Sequence, residues 1–154
     1  MLNVRLLSGR AAAAIALTLM LSLSAWQAGA GELALAAQVD DPALEWGPCP
    51  EFFPAGCRIA VLHGDPAKPN ADVFFQVPGQ YDLPKHWHSS AERMVLVTGE
   101  LDVTYDGQST VHLKPGMYAY GPPKAPHDGR CVSEAPCTLF IAFEQPVDAT
   151  PVGP

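Results

Sequence analysis

The chain has 154 residues, 9 basic and 16 acidic side chains, a formal net charge of −7, and 48% hydrophobic residues. That length supports one domain once any leader is removed. The acidic balance, with no basic cluster, excludes the electrostatic footprint of a protein that binds nucleic acid or anionic membranes.

The chain opens with Arg5 and Arg10, then an apolar stretch without charge from Ala11 to Leu23, then small residues. This is the pattern of a secretory signal peptide, here assigned to residues 1–36. Two small-x-small sites fit cleavage, Ala28-Gly29-Ala30 and Ala34-Leu35-Ala36, and the second is preferred. The apolar stretch is short beside the ~20 residues that span a bilayer, so the mature chain is expected off the membrane, in a periplasmic or secreted location. Cleavage removes Arg5, Arg10 and Glu32 and leaves 118 residues with 7 basic and 15 acidic side chains.

Residues 37–57 are Pro-rich, acidic and weakly patterned, and are read as an N-terminal arm. The mature chain keeps four cysteines, Cys49, Cys57, Cys131 and Cys137. An even number in an exported chain suggests disulfides. Three pairings are possible. The local one is simplest, with Cys49 joined to Cys57, pinning the arm, and Cys131 joined to Cys137 across a hairpin.

From Arg58 onward the pattern is strand and turn. Ile59-Ala60-Val61-Leu62 ends at Gly64-Asp65-Pro66, where Asp65 reads as a turn residue. Val73 to Val77 ends at Pro78-Gly79. Arg93 to Thr98 and Leu101 to Tyr105 flank Gly99-Glu100. Leu101, Val103 and Tyr105 alternate with Asp102 and Thr104, as in a half-buried strand. Asp106-Gly107 suggests a two-residue hairpin turn with positive φ at both positions. Thr110 to Lys114, Met117 to Tyr120 and Cys137 to Phe143 complete the strands, and 146–154 reads as a tail. No ten-residue stretch of the mature chain has helical periodicity. Short strands with Gly and Pro punctuation imply an all-β barrel or sandwich.

Within this pattern lie His86-Trp87-His88, Glu92 and His127. Residues i and i+2 of a strand share a face, so His86 and His88 can reach one point while Trp87 turns away. Ser89-Ser90-Ala91 is enough chain to turn a corner and bring Glu92 back. His127, distant in sequence, is the best fourth member. Three imidazoles and a carboxylate suit a divalent transition metal such as Fe, Mn, Ni, Cu or Zn. His63 and His112 read as surface residues. Tyr118, Tyr120, Phe75 and Phe140 read as core aromatics, with a pocket lining as the alternative.

The same residues resemble the cupin superfamily. Its first motif runs from Gly through His-x-His and Glu to Gly. Gly79, His86-Trp87-His88, Glu92 and Gly99 follow that order, with one extra residue before the first His. The second motif is a Pro-rich approach to a His, matched by Gly121-Pro122-Pro123-Lys124-Ala125-Pro126-His127; Cys131 stands where the family often has Asn. Gly64-Asp65-Pro66, Lys68-Pro69 and the cysteine-flanked tail are similar to a secreted cupin group of unknown function. The resemblance implies a double-stranded β-helix, or jelly-roll barrel, over 58–145, with one divalent metal inside on His86, His88, Glu92 and His127. It also implies a small-molecule substrate or ligand and, by analogy, a homodimer.

Two function classes follow. Four protein ligands on an octahedral ion leave two positions for a chelating substrate, or for substrate and dioxygen, which supports a dioxygenase-like enzyme. The other class is a binding or sensing cupin that uses the same site without turnover. Outside the four candidate ligands, the sequence shows no clear general base for non-redox chemistry.

Overall fold

Eleven strands organise residues 32–153, the part described by the computed structural model. The expected leader lies outside these residues except for its last five. In chain order the strands are β1 (Trp46–Pro48), β2 (Arg58–His63), β3 (Ala71–Val77), β4 (Tyr81–Trp87), β5 (Glu92–Thr98) and β6 (Leu101–Tyr105). They continue as β7 (Val111–Leu113), β8 (Tyr118–Gly121), β9 (His127–Cys131), β10 (Cys137–Phe143) and β11 (Thr150–Pro151). The described residues contain no helix, and so none long and apolar enough to cross a membrane.

Two antiparallel sheets form, in the orders β1-β2-β3-β10-β5-β8 and β11-β4-β9-β6-β7. This is all-β, as the sequence pattern implies, and it is the double-stranded β-helix that the family resemblance implies. β10 lies between β3 and β5 and alternates as its sequence demands, with Leu139, Ile141 and Phe143 turned inward. In β6, Leu101 and Val103 are buried while Asp102 and Thr104 lie on the other face. The core between the sheets adds Val73, Val77, Leu83, Met94 and Leu96.

Segments on both sides of the central strands join the sheets. Trp46–Pro48 pairs with Arg58–Ala60 at one edge. Thr150 and Pro151 pair with Trp87 and His86 at the other sheet's edge. Cys49–Cys57 and Cys131–Cys137 are the two disulfides, so the simplest of the three pairings is the one formed.

One turn differs from its expected form. At Asp106-Gly107 only Gly107 has positive φ, +74°. Gln108 N–H donates to the Tyr105 carbonyl at 2.9 Å. Gly107 is therefore the third residue of a four-residue turn, where a type II turn requires positive φ. The following strand starts only at Val111, so the connection is longer than two residues and needs no mirror-image turn. Asp65 behaves as expected, its Oδ1 accepting from Ala67 N–H at 2.9 Å.

Candidate metal centre

Three neighbouring strands carry the first part of the site. His86 on β4 pairs with His127 at the start of β9, and His127 pairs with Tyr105 at the end of β6. Their side chains form a row across the sheet. His88 follows one residue past β4, on the same side as His86 because alternation continues. The chain then turns through Ser89-Ser90-Ala91. Ser90 Oγ holds that corner by accepting from Glu144 N–H at 2.9 Å and Gln145 N–H at 3.0 Å. Glu92 then opens β5 on the opposite sheet and faces back into the cavity.

His86, His88 and His127 each present a ligand nitrogen, and these atoms lie within 4.8 Å of one another. Glu92 Oε1 is 3.3 Å from His88 Nε2, and Oε2 is 3.8 Å from His127 Nε2. All four side chains are buried. Of the cations near Glu92 in the sequence, Lys85 pairs with Asp106 and Arg93 with Glu144.

The ring orientations are fixed from behind. His86 Nδ1 lies 2.7 Å from the Pro84 carbonyl, His127 Nδ1 3.1 Å from that of Ala125, and His88 Nδ1 hydrogen-bonds the Asp148 carbonyl. A carbonyl can only accept, so each Nδ1 carries the proton and each Nε2 keeps its lone pair toward the cavity. Burial holds His86 down to about 3 and His88 to about 4, and lowers His127 as well. Neutral imidazole is the form that ligates a metal. Burial, then the Asp148 carboxylate, pushes Glu92 up to about 8. The His88–Glu92 approach has ion-pair geometry, yet those values make it a contact between two uncharged groups at neutral pH. A cation at this point reverses that logic and favours the carboxylate. Three neutral imidazoles and one carboxyl, converging in a buried space, fit a borderline transition metal better than Mg or Ca, which prefer all-oxygen sets.

The cavity measures about 120 Å³. Its walls are mostly apolar, with Phe53, Phe75, Leu83, Met94, Val103 and Leu139 prominent. Phe53 comes from the loop closed by Cys49–Cys57 and meets His86 edge-on at 5.0 Å. Val147, Asp148 and Ala149 line another side. The Asp148 carboxylate accepts from Ser89 N–H at 2.9 Å and from Ser89 Oγ–H at 2.5 Å. The Tyr105 ring lies 4.7 Å from that of His127, and burial, with Glu92 adding to it, raises the Tyr105 hydroxyl's pKa.

The sequence reading and the site differ in three places. Tyr118 and Tyr120 are 60% and 51% exposed on β8, so they belong neither to the core nor to a pocket. Phe75 does line the cavity, whereas Phe140 does not. Tyr105 and Asp148 are the residues the motifs do not reveal. Tyr105 had a signal, its place on the inward face with Leu101 and Val103. Asp148 had none. His63 and His112 are exposed, as expected.

A family model for the cupin domain matches residues 73–143, the stretch that runs from β3 to the end of β10 and contains all four candidate ligands. That stretch is a cupin domain. No curated protein sequence matches the chain. Among solved structures, this cupin is similar to the polyketide cyclase RemF from Streptomyces resistomycificus, with 18% identity, TM-score 0.62, and 78% of this chain and 87% of that chain covered. It is similar to the DMSP lyase DddQ from Ruegeria pomeroyi DSS-3, with 18% identity, TM-score 0.59, and 71% and 60% covered. It is also similar to Bacillus subtilis oxalate decarboxylase, described for its Mn(II) centres, with 18% identity, TM-score 0.54, and 63% and 28% covered. This cupin thus spans about three fifths of the DMSP lyase chain and under a third of the decarboxylase. At these identities the likeness is one of fold.

Proposed function

We propose that this cupin is an exported metal-dependent enzyme, dioxygenase-like, acting on a small chelating substrate. His86, His88, Glu92 and His127 would hold one divalent ion of Fe, Mn, Ni, Cu or Zn. The observation that carries this reading is the convergence of three backbone-oriented imidazoles and Glu92 on one buried point. A redox ion there would supply dioxygen activation, and a redox-inert one would supply Lewis-acid polarisation. Oxalate decarboxylase, with its Mn(II) centres, is a cupin-fold precedent for a metal in this architecture.

The chain's own residues would do the rest. The apolar walls exclude water from the reacting end of the substrate and strengthen every electrostatic interaction there. The loop carrying Phe53 covers His86 from one side and residues 147–149 close another. Export is supported by the leader pattern at 1–36 and by two disulfides, which suit an oxidising compartment.

A second reading, a binding or sensing cupin, is favoured by one observation. Burial raises the pKa of the Tyr105 hydroxyl, so this side chain beside His127 stays protonated and does not supply a base. Elemental analysis of the mature protein, followed by oxygen-consumption assays with chelating diols and diketones, decides between them. Turnover lost in His88→Ala while the fold survives supports the enzyme. Stoichiometric metal and tight ligand binding without product support the sensor. Absence of metal, with no uptake of any of the five ions, sinks the enzyme and leaves metal-free small-molecule binding as the reading.

A further inference from the structure

Among the described residues, the Tyr105 hydroxyl is the buried side-chain polar atom left without a hydrogen-bond partner. A buried hydroxyl without a protein partner costs stability, and phenylalanine would avoid that cost. Such a group calls for an occupant that completes it. Its position says which kind. Tyr105 stands opposite His127 in the β6–β9 pairing, and its ring lies against the imidazole. A Cβ at Gly121 would collide with the Tyr105 hydroxyl and come within 3.0 Å of Glu92 Oε2. The hydroxyl and the carboxylate therefore reach one small space from opposite sheets, and the missing side chain at Gly121 keeps that space open.

The walls restrict the occupant further. Among the described residues no lysine or arginine lines the cavity; the charged side chains in the lining beyond Glu92 are Asp128 and Asp148. A divalent ion held by three neutral imidazoles and one carboxylate carries one residual positive charge. A singly charged chelator cancels it. A dianion would leave a net negative charge in an apolar space with no cation to pair with it, which is strongly unfavourable.

We infer that Tyr105 donates a hydrogen bond to an oxygen of the ligand bound beside the His–Glu cluster, and that this ligand is a small oxygen chelator with an apolar body and at most one negative charge. The inference rests on the metal-centre reading above and narrows its substrate class.

Cobalt(II)-loaded wild type and Tyr105→Phe test it, titrated with pentane-2,4-dione and with oxalate and followed through the visible absorption of the ion. Metal uptake is measured separately against a chromophoric chelator, and melting of the stripped proteins is recorded. Both proteins are expected to take up cobalt equally. The stripped variant should melt at or above wild type, because an unpaired hydroxyl is gone. Its dione affinity should fall about tenfold to a hundredfold, the range for a hydrogen bond to a charged acceptor. Wild type should bind oxalate more weakly than the dione. Equal dione affinity in the two proteins overturns the role of Tyr105 alone. Tighter oxalate binding, or no dione binding to loaded wild type, overturns the ligand class. Failure of wild type to take up cobalt removes the metal reading and this inference with it.

Discussion

His88 donates its Nδ1 proton to the main-chain carbonyl of Asp148, across 60 residues of sequence. The same aspartate clamps Ser89, the next residue after His88, with both carboxylate oxygens. The segment after the last barrel strand thus sets the tautomer and the angle of a candidate ligand. Val147 N–H donates to Pro66 at 2.8 Å and Val152 N–H to Lys85 at 3.0 Å, so the segment is tied down on both sides of Asp148.

Asp148→Ala is expected to lower metal affinity about tenfold, the lower end of what outer-shell partners of ligating histidines contribute. Asp148→Asn, which keeps an acceptor for Ser89 N–H, should recover most of it. Competition with a chromophoric chelator reads both. Equal affinity in all three proteins would show that the carbonyl alone suffices and the carboxylate clamp is dispensable.

His86→Ala and His88→Ala each remove one nitrogen from a set of three. A ligand that binds only the folded state stabilises it by RT ln(1 + [L]/Kd), about 4 kcal/mol at a thousandfold excess over Kd. For a domain of this size that raises the melting temperature by on the order of 10 °C. Wild type should show such a rise on adding metal, and neither variant should. Identical melting of wild type with and without chelator would contradict the metal-bound state.

Much of this was legible in the sequence because the relevant signals are local. His86, His88 and Glu92 carry their geometry in their spacing, through alternation and one corner. Leu101 to Tyr105 and Cys137 to Phe143 show their inward faces by period two. The two glycines of the first motif are also local signals with a non-local cause. At Gly99, φ is +81° and a Cβ would lie 2.7 Å from Cys137 Sγ. At Gly79 a Cβ would lie 2.7 Å from the Ser133 carbonyl. Both glycines are needed because the Cys131–Cys137 hairpin packs directly on them. What could not be read was anything set by sheet order. Nothing near Thr150 announces that it pairs with Trp87, and nothing near Asp148 announces His88. Tyr118 and Tyr120 alternate like core residues, but β8 is an edge strand and turns them to solvent.

The two disulfides should separate stability from access. Each closes a short loop, with sequence separations of 8 and 6. The chain-entropy model gives about 2 kcal/mol for loops of that length. Replacing either pair by alanine should therefore lower the melting temperature by a similar amount. Only the Cys49–Cys57 loop carries Phe53 over His86. Removing that pair should speed metal release to a chelator, while removing Cys131–Cys137 should leave the release rate unchanged. Equal release from both variants would mean the arm does not gate the site.

The protein stripped of metal should be most stable near pH 6.5. The histidine term sets the acid side. In the folded state His86 and His88 are held to about 3 and 4, below their ordinary 6.5, and His127 is lowered too. As pH falls below 6.5 the unfolded chain takes up these protons first, so stability is lost as pH falls. Glu92 acts in the opposite sense. Its folded value of about 8 lies above the ordinary 4.5, so its contribution is full below 4.5 and is lost as pH rises through 8. Between 4.5 and 6.5 three histidines outweigh one glutamate and stability climbs with pH. Between 6.5 and 8 only Glu92 still titrates differently in the two states, and stability declines. Glu92→Gln should abolish that decline and keep the acid limb. Melting temperatures across pH 4.5 to 8.5, in wild type and Glu92→Gln, check both limbs. A wild-type curve flat above 6.5 would mean that Glu92 is ionised in the folded protein, contrary to its burial against Asp148.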